Sequence, residues 1–173
     1  MDDRESPLTS KGCLQAANAA LALRMTRVQF DAVYCSPYKR AQQTCHIITQ
    51  NLYGKLPKTI ITDERLKERD FTGLYGQLIP HDHWMELWDY DSRRAEYDGI
   101  ELLAEMDARA SDFLHELRYT HEKDNPKKPV NILIVAHAGI GLVFRAITEG
   151  HPLNGHLFSY PMLDNGEYVE LYF

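Results

Sequence analysis

Val130-Asn131-Ile132-Leu133-Ile134-Val135-Ala136 is the segment that most limits what this chain can become. A strand with one wet face alternates apolar and polar residues. This one is nearly all apolar, the signature of a strand dry on both faces and hence of a central strand in a parallel sheet. His137-Ala138-Gly139 follows at once, and a helix is expected from about Ile140 to Glu149.

The rest of the chain alternates in the way such a sheet demands. Thr9 or Ser10 can cap a helix running to about Arg27, with Leu14, Ala17, Leu21 and Leu23 approximating its apolar face. A short strand, Asp31 to Cys35, stops at Ser36-Pro37, because proline fixes φ and lacks an N–H for the ladder. A second helix is expected from Tyr38 to about Leu52, punctuation at Leu56-Pro57, and a β-branched strand at Thr59 to Thr62. Asp63 to Asp98 reads as a long loop with a helical piece near Asp82 to Arg94, and loops of that length usually serve function. A periodic helix follows from about Glu101 to His121, with Leu103, Met106, Ala110, Phe113, Leu114 and Leu117 on its core face. Lys127-Lys128-Pro129 is a turn, and Asn165-Gly166 precedes a final alternating strand, Glu167 to Phe173. Strands interleaved with helices give an α/β sandwich with a largely parallel sheet in one domain, residues 1–173.

The net charge of −6 opposes nonspecific nucleic-acid binding, which needs a basic surface. It leaves room for a local cationic pocket and an anionic substrate. Cys13, Cys35 and Cys45 are odd in number and lie inside expected regular elements, which suits buried thiols in a reducing compartment. No run of about 18 apolar residues offers a membrane span, and the polar N-terminus has no signal-peptide core. The expected location is the cytoplasm, with no membrane or nucleic-acid partner.

Three short segments carry the chemistry. His137 stands where a buried strand becomes a helix, the place where parallel sheets put ligands, and Ala138-Gly139 lets N–H groups approach an anion. The plainer reading is a half-buried histidine at a strand end. Lys39 and Arg40 open a helix against its dipole, so they need another reason to be there, and a bidentate phosphate contact from Arg40 is one. The plainer reading is a solvated basic pair. Glu68, in Leu66-Lys67-Glu68-Arg69-Asp70-Phe71, can protonate a leaving alkoxide; four charged residues in a loop are otherwise simply wet. Cys35 does not suit a cysteine phosphatase: its spacing to Arg40 is one residue short of C-x5-R, and Pro37 interrupts the N–H donors. His81 and His83 lack further ligands at zinc spacing. With Trp84, Trp88 and Tyr90 they wall a pocket or pack under a lid.

In order along the chain, SPLTSKGCLQA, CSPYKRAQQT, LKERDFTGLYG, GIELLAEMDAR and LIVAHAGI resemble the motifs of the histidine phosphatase superfamily, which includes the cofactor-dependent phosphoglycerate mutases. The resemblance implies a three-layer α/β/α sandwich and a metal-free, cofactor-free reaction on a phosphorylated small molecule or phosphoprotein. It implies that Arg40 and His137 bind the transferring phosphoryl group and that Glu68 is general acid and then base. In the family a histidine in an N-terminal Arg-His-Gly motif attacks phosphorus; that motif belongs well before Ser6, where this sequence has five residues and no histidine. The expectation is a sheet lacking its first, central strand, a hole between the two strands that carry Arg40 and His137, and negligible turnover. Thr72, Leu102 and Ala138 depart from the pattern, and phosphatase is favoured over mutase because residues 73–98 hold no mutase substrate segment. A non-catalytic phospho-ligand or protein binder is the alternative, though it has little use for Glu68.

Overall fold

The computed structural model describes residues 3–54, 59–74, 76–89, 97, 99–122, 129–150 and 163–173. They divide into two units, the first made of Met1–Lys67, Thr120–His137 and Leu163–Glu170, the second of Glu68–Tyr119, Ala138–Met162 and Leu171–Phe173.

The first unit holds α1 (Ser10–Thr26), β1 (Ala32–Cys35), α2 (Lys39–Tyr53), β2 (Ile61–Thr62) and β3 (Ile132–Val135). Thr9 starts α1 as expected: its hydroxyl accepts the Gly12 N–H at 3.1 Å, satisfying one orphan donor of the first turn. The buried face of α1 is not the expected one. Ala16, Ala19, Ala20 and Leu23 are buried, whereas Leu14 and Leu21 are 63% and 55% exposed. Ala19, Ala20 and Leu23 share a core with Ala41, Cys45 and Ile48 of α2. Methyl-sized side chains let two helices pack closely, and that packing outranks the burial of two leucines elsewhere on the helix.

The strands form a parallel sheet in the order β2-β1-β3. Ala32 to Cys35 pair residue for residue with Ile132 to Val135. The ladder runs on through the Ser36 N–H to the Val135 carbonyl at 2.9 Å. Three expectations are corrected here. β1, not β3, is the middle strand among those described. Burial in β3 alternates, with Leu133 and Val135 buried and Ile132 and Ile134 partly exposed. There is no hole between the strands bearing the site residues, because β1 and β3 pair directly. An apolar run reports which faces avoid water; it carries no information on which edges are paired. Val33, Cys35, Leu133 and Val135 meet the α1 and α2 residues in one core, where each fully buried aliphatic side chain contributes about 1.5–3 kcal/mol.

Asn165-Gly166 makes a turn, with Gly166 at φ +89° against the Gln15 backbone. The final strand does not form: residues 167–173 are irregular, and Tyr168, Val169, Tyr172 and Phe173 are exposed. A β-run without a ladder partner has unpaired backbone groups, and alternation alone cannot supply the partner.

The second unit contains α3 (His81–Asp89), most of α4 (Leu103–Glu122) and α5 (Ala138–Glu149). All six residues assigned to the core face of α4 are buried. Phe113 of α4 meets Phe144 of α5 with ring centroids 5.7 Å apart. Leu74, Leu87 and Ile100 form a second core, with Phe71, Ile79 and Tyr97 packed on it. The turn residues Lys127 and Lys128, Leu56-Pro57 and the end of the helical piece beyond Asp89 lie outside the described residues. Among the described residues no helix is long and apolar enough to cross a membrane.

Candidate active site

In the first unit the site begins where β1 and β3 end side by side. β1 leads through Ser36-Pro37-Tyr38 into α2, and β3 leads through Ala136 to His137, so parallel pairing carries both exits to the same end of the sheet. Ser36 is fully buried. Its hydroxyl lies 2.8 Å from His137 Nε2 and accepts the Tyr38 N–H at 3.3 Å. A hydroxyl can donate to a neutral ring nitrogen or accept from a protonated one, so Ser36 fixes the imidazole in either state.

Tyr38 joins the two predicted phosphate ligands. Its ring is 4.9 Å from the His137 ring, edge to face, and the Arg40 guanidinium carbon is 4.8 Å from its centre. α2 starts at Lys39 with no acidic residue in its first turn and no side-chain cap, so Arg40 stands at the positive end of the helix dipole. Lys39 reaches Glu5 at 3.9 Å, an exposed pair worth little. Two cationic or hydrogen-donating side chains beside a helix N-terminus suit an anion.

In the second unit Glu68 is held by backbone donors. One carboxylate oxygen accepts the Arg69 N–H at 2.9 Å and the Ile140 N–H at 3.2 Å, the other the Gly139 N–H at 3.0 Å. Gly139 and Ile140 belong to the first turn of α5, so the anion expected at that helix N-terminus is the protein's own glutamate. The loop bearing Glu68 is clamped from α4. Arg109 grips both oxygens of Glu101, at 2.6 and 2.9 Å, and also donates to the Glu68 carbonyl at 3.4 Å. Glu101 in turn accepts the Asp70 N–H at 3.1 Å and donates its own N–H to the Asp70 carbonyl at 2.9 Å. Arg69, 3% exposed, donates to the Glu101 and Leu87 carbonyls and lies over the Phe71 ring. Its role is to hold the loop.

The model of the histidine phosphatase superfamily (branch 1) matches residues 2–173. The chain belongs to the histidine phosphatase superfamily. It is 40% identical over 73 residues to the 2,3-bisphosphoglycerate-dependent phosphoglycerate mutase of Allorhizobium ampelinum, covering 42% of this chain and 34% of that protein. It is 28% identical over 158 residues to the ecdysteroid-phosphate phosphatase of Drosophila melanogaster, covering 86% of this chain and 20% of the relative. The matches thus span less than two thirds of either relative's length. Among solved structures, Bacillus stearothermophilus YhfR is similar with a TM-score of 0.71 at 26% identity, over 92% of this chain and 75% of that one.

Within this chain, Arg40 and His137 are brought together around Tyr38. Glu68 sits in the other unit, bound to the start of α5. Sequence reasoning missed Ser36, Tyr38, Glu101 and Arg109 as site residues. Glu101 and Arg109 did leave a trace, since both lie in the quoted GIELLAEMDAR segment, eight positions apart and hence on one side of a helix start. Ser36 and Tyr38 lie in the quoted CSPYKRAQQT segment, but nothing local showed that Ser36 would meet His137, 101 residues away. His83 contacts Tyr97 through Nδ1 at 2.7 Å. The side chains of Trp84, Trp88 and Tyr90 lie outside the described residues. Cys35 and Cys45 are buried as expected, but Cys13 is exposed on α1.

Proposed function

We propose that this chain carries the phosphoryl-binding side chains and the leaving-group acid of a phosphomonoesterase that works through a phosphohistidine. The observation that carries the reading is the meeting of Arg40 and His137 on one tyrosine ring where two parallel strands end. Arg40 and His137 would hold the equatorial oxygens of the transferring group, where fixed cationic donors stabilise developing charge. Glu68 would protonate the leaving oxygen and then take a proton from water. Phosphatase is favoured over mutase on the content of residues 73–98. These 173 residues contain no Arg-His-Gly segment, so by themselves they should show negligible turnover, since covalent catalysis fails without its nucleophile.

Two measurements test this. On p-nitrophenyl phosphate, the chain and its Glu68→Gln variant should both release product at the uncatalysed rate. Hydrolysis by the chain that the substitution abolishes would show that a nucleophile is present after all. In a titration with inorganic phosphate, Arg40→Ala should weaken binding about 10- to 100-fold, the worth of a charge-assisted hydrogen bond. Unchanged affinity would remove Arg40 from the site.

A further inference from the structure

A cavity of about 200 Å³ opens beside the sheet in the first unit, lined by Cys35, Gln42, Cys45, His46, Ile60 and Thr62. Of its lining, Gln42, His46 and Thr62 are partly or fully exposed, while Cys35 and Cys45 are fully buried. Cys35 ends β1 and Cys45 lies in the second turn of α2. Both belong to one buried core cluster, with Val33, Ile48 and Val135. The ten-residue step between them contains Ser36, Tyr38 and Arg40.

We infer that Cys35 and Cys45 are a dithiol modification site, oxidised by hydrogen peroxide entering this cavity to a disulfide that closes a ring around the phosphate-binding turn. Geometry favours pairing over further oxidation of a single sulfur, because the second thiol lines the same cavity and sits in the same core as the first. The two sulfurs must move closer to reach a covalent bond length of about 2.05 Å. That movement draws the end of β1 and the start of α2 together.

The pair is chemically asymmetric. The hydrogen bond from Cys35 holds the Cys45 thiol below the usual thiol range, against the opposing effect of burial. The same bond raises the Cys35 thiol, and burial and the Cys45 charge raise it further. While Cys45 is protonated, the Cys35 S–H has a second acceptor in the Ser36 carbonyl, 3.3 Å away. Cys45 is therefore the attacking sulfur. Its thiolate takes one peroxide oxygen as the O–O bond breaks, giving a sulfenic acid and a hydroxide that is protonated to water. Cys35 then attacks the Cys45 sulfur. The S–S bond forms, the S–O bond breaks, and the Cys35 proton leaves with the hydroxide as a second water. Two thiols lose two electrons in total and one peroxide gains them.

Trypsin cuts after Arg27, Lys39, Arg40 and Lys55, so Cys35 and Cys45 leave on separate peptides unless a disulfide joins them. The full chain is exposed to hydrogen peroxide, denatured, alkylated with iodoacetamide and digested without reductant, and the peptides are weighed. The exposed Cys13 reports that the oxidant is active. The expected result is a joined Cys35–Cys45 peptide pair that dithiothreitol separates, persists in Cys13→Ser and is lost in Cys45→Ser. Recovery of both buried cysteines alkylated, under conditions that oxidise Cys13, overturns the inference. So does oxidation of Cys45 to a sulfinic acid in Cys13→Ser without any joined pair. Both overturning readouts come from folded starting protein with Cys35 and Cys45 intact, so misfolding of Cys45→Ser cannot produce them.

Discussion

Arg40 and His137 owe their positions to main-chain bonds between β1 and β3, whereas Glu68 owes its own to a charge-clamped loop and to N–H donors on its carboxylate. In the first unit the ladder from Ala32 to Ser36 aligns two chain exits, and a single hydroxyl, that of Ser36, finishes the geometry. In the second, the loop of Glu68 has no ladder to lean on. It is tied by the Arg109–Glu101 pair, by Arg69 and by the N–H groups of α5. A ladder distributes the task of positioning over many equivalent bonds; a charge clamp concentrates it on two side chains. The second region should therefore be the more fragile to single substitutions.

Arg109→Ala should have the largest effect. It leaves the Glu101 carboxylate, whose side chain is only 11% exposed, without its cation and removes the donor to the Glu68 carbonyl. Breaking such a pair costs about 3–5 kcal/mol, measured as a fall in the urea midpoint. A loss under about 1 kcal/mol would show that the clamp is dispensable and the contrast false. Ser36→Ala should cost less, about 1–3 kcal/mol, because the Tyr38 N–H and the His137 ring lose a buried partner while the ladder survives. The His137 ring signals in NMR should shift even if stability barely changes; unaltered signals would mean that the hydroxyl does not hold the ring.

The smallest effect concerns a charge pair of the first unit, Asp63 with Arg65. The hydrogen bonds from Arg65 keep the Asp63 carboxyl below its usual range, and the pair lies at 2.7 Å where β2 ends. A carboxyl depressed in the folded state binds its proton less readily there than when unfolded. Its contribution is thus complete above the ordinary Asp range and fades as pH falls through the lower folded value. Asp63→Asn should flatten that acid limb of the stability curve by about 0.5–1 kcal/mol, with little change in its slope at neutral pH. An acid limb of unchanged steepness would assign the loss to other carboxylates.

Much of this was legible in the amino-acid order because it is local. Thr9 caps a helix through a contact three residues ahead, α4 shows its core face through its period, and Pro37 ends β1 through its own ring. Arg40 could be singled out because a cation at a helix start contradicts the dipole, and His137 because it follows a buried strand at once. What failed was whatever depends on a distant partner. The alanine face of α1 was chosen by α2, the irregular path of residues 167–173 by the lack of a neighbouring strand among the described residues, and the place of β3 in the sheet by its pairing with β1.

By itself, then, the sequence determined the α/β class, the approximate span of α1, α2, α4 and α5, and the candidacy of Arg40, Glu68 and His137, since propensity, capping and periodicity act over a few residues. Only the tertiary structure decided that Ser36 would grip His137, that Arg109 and Glu101 would clamp the Glu68 loop, and that Glu68 would occupy the start of α5. Those contacts join residues from 8 to 101 positions apart, and a pairing at such range is set by the packing of whole elements, to which no local pattern is sensitive.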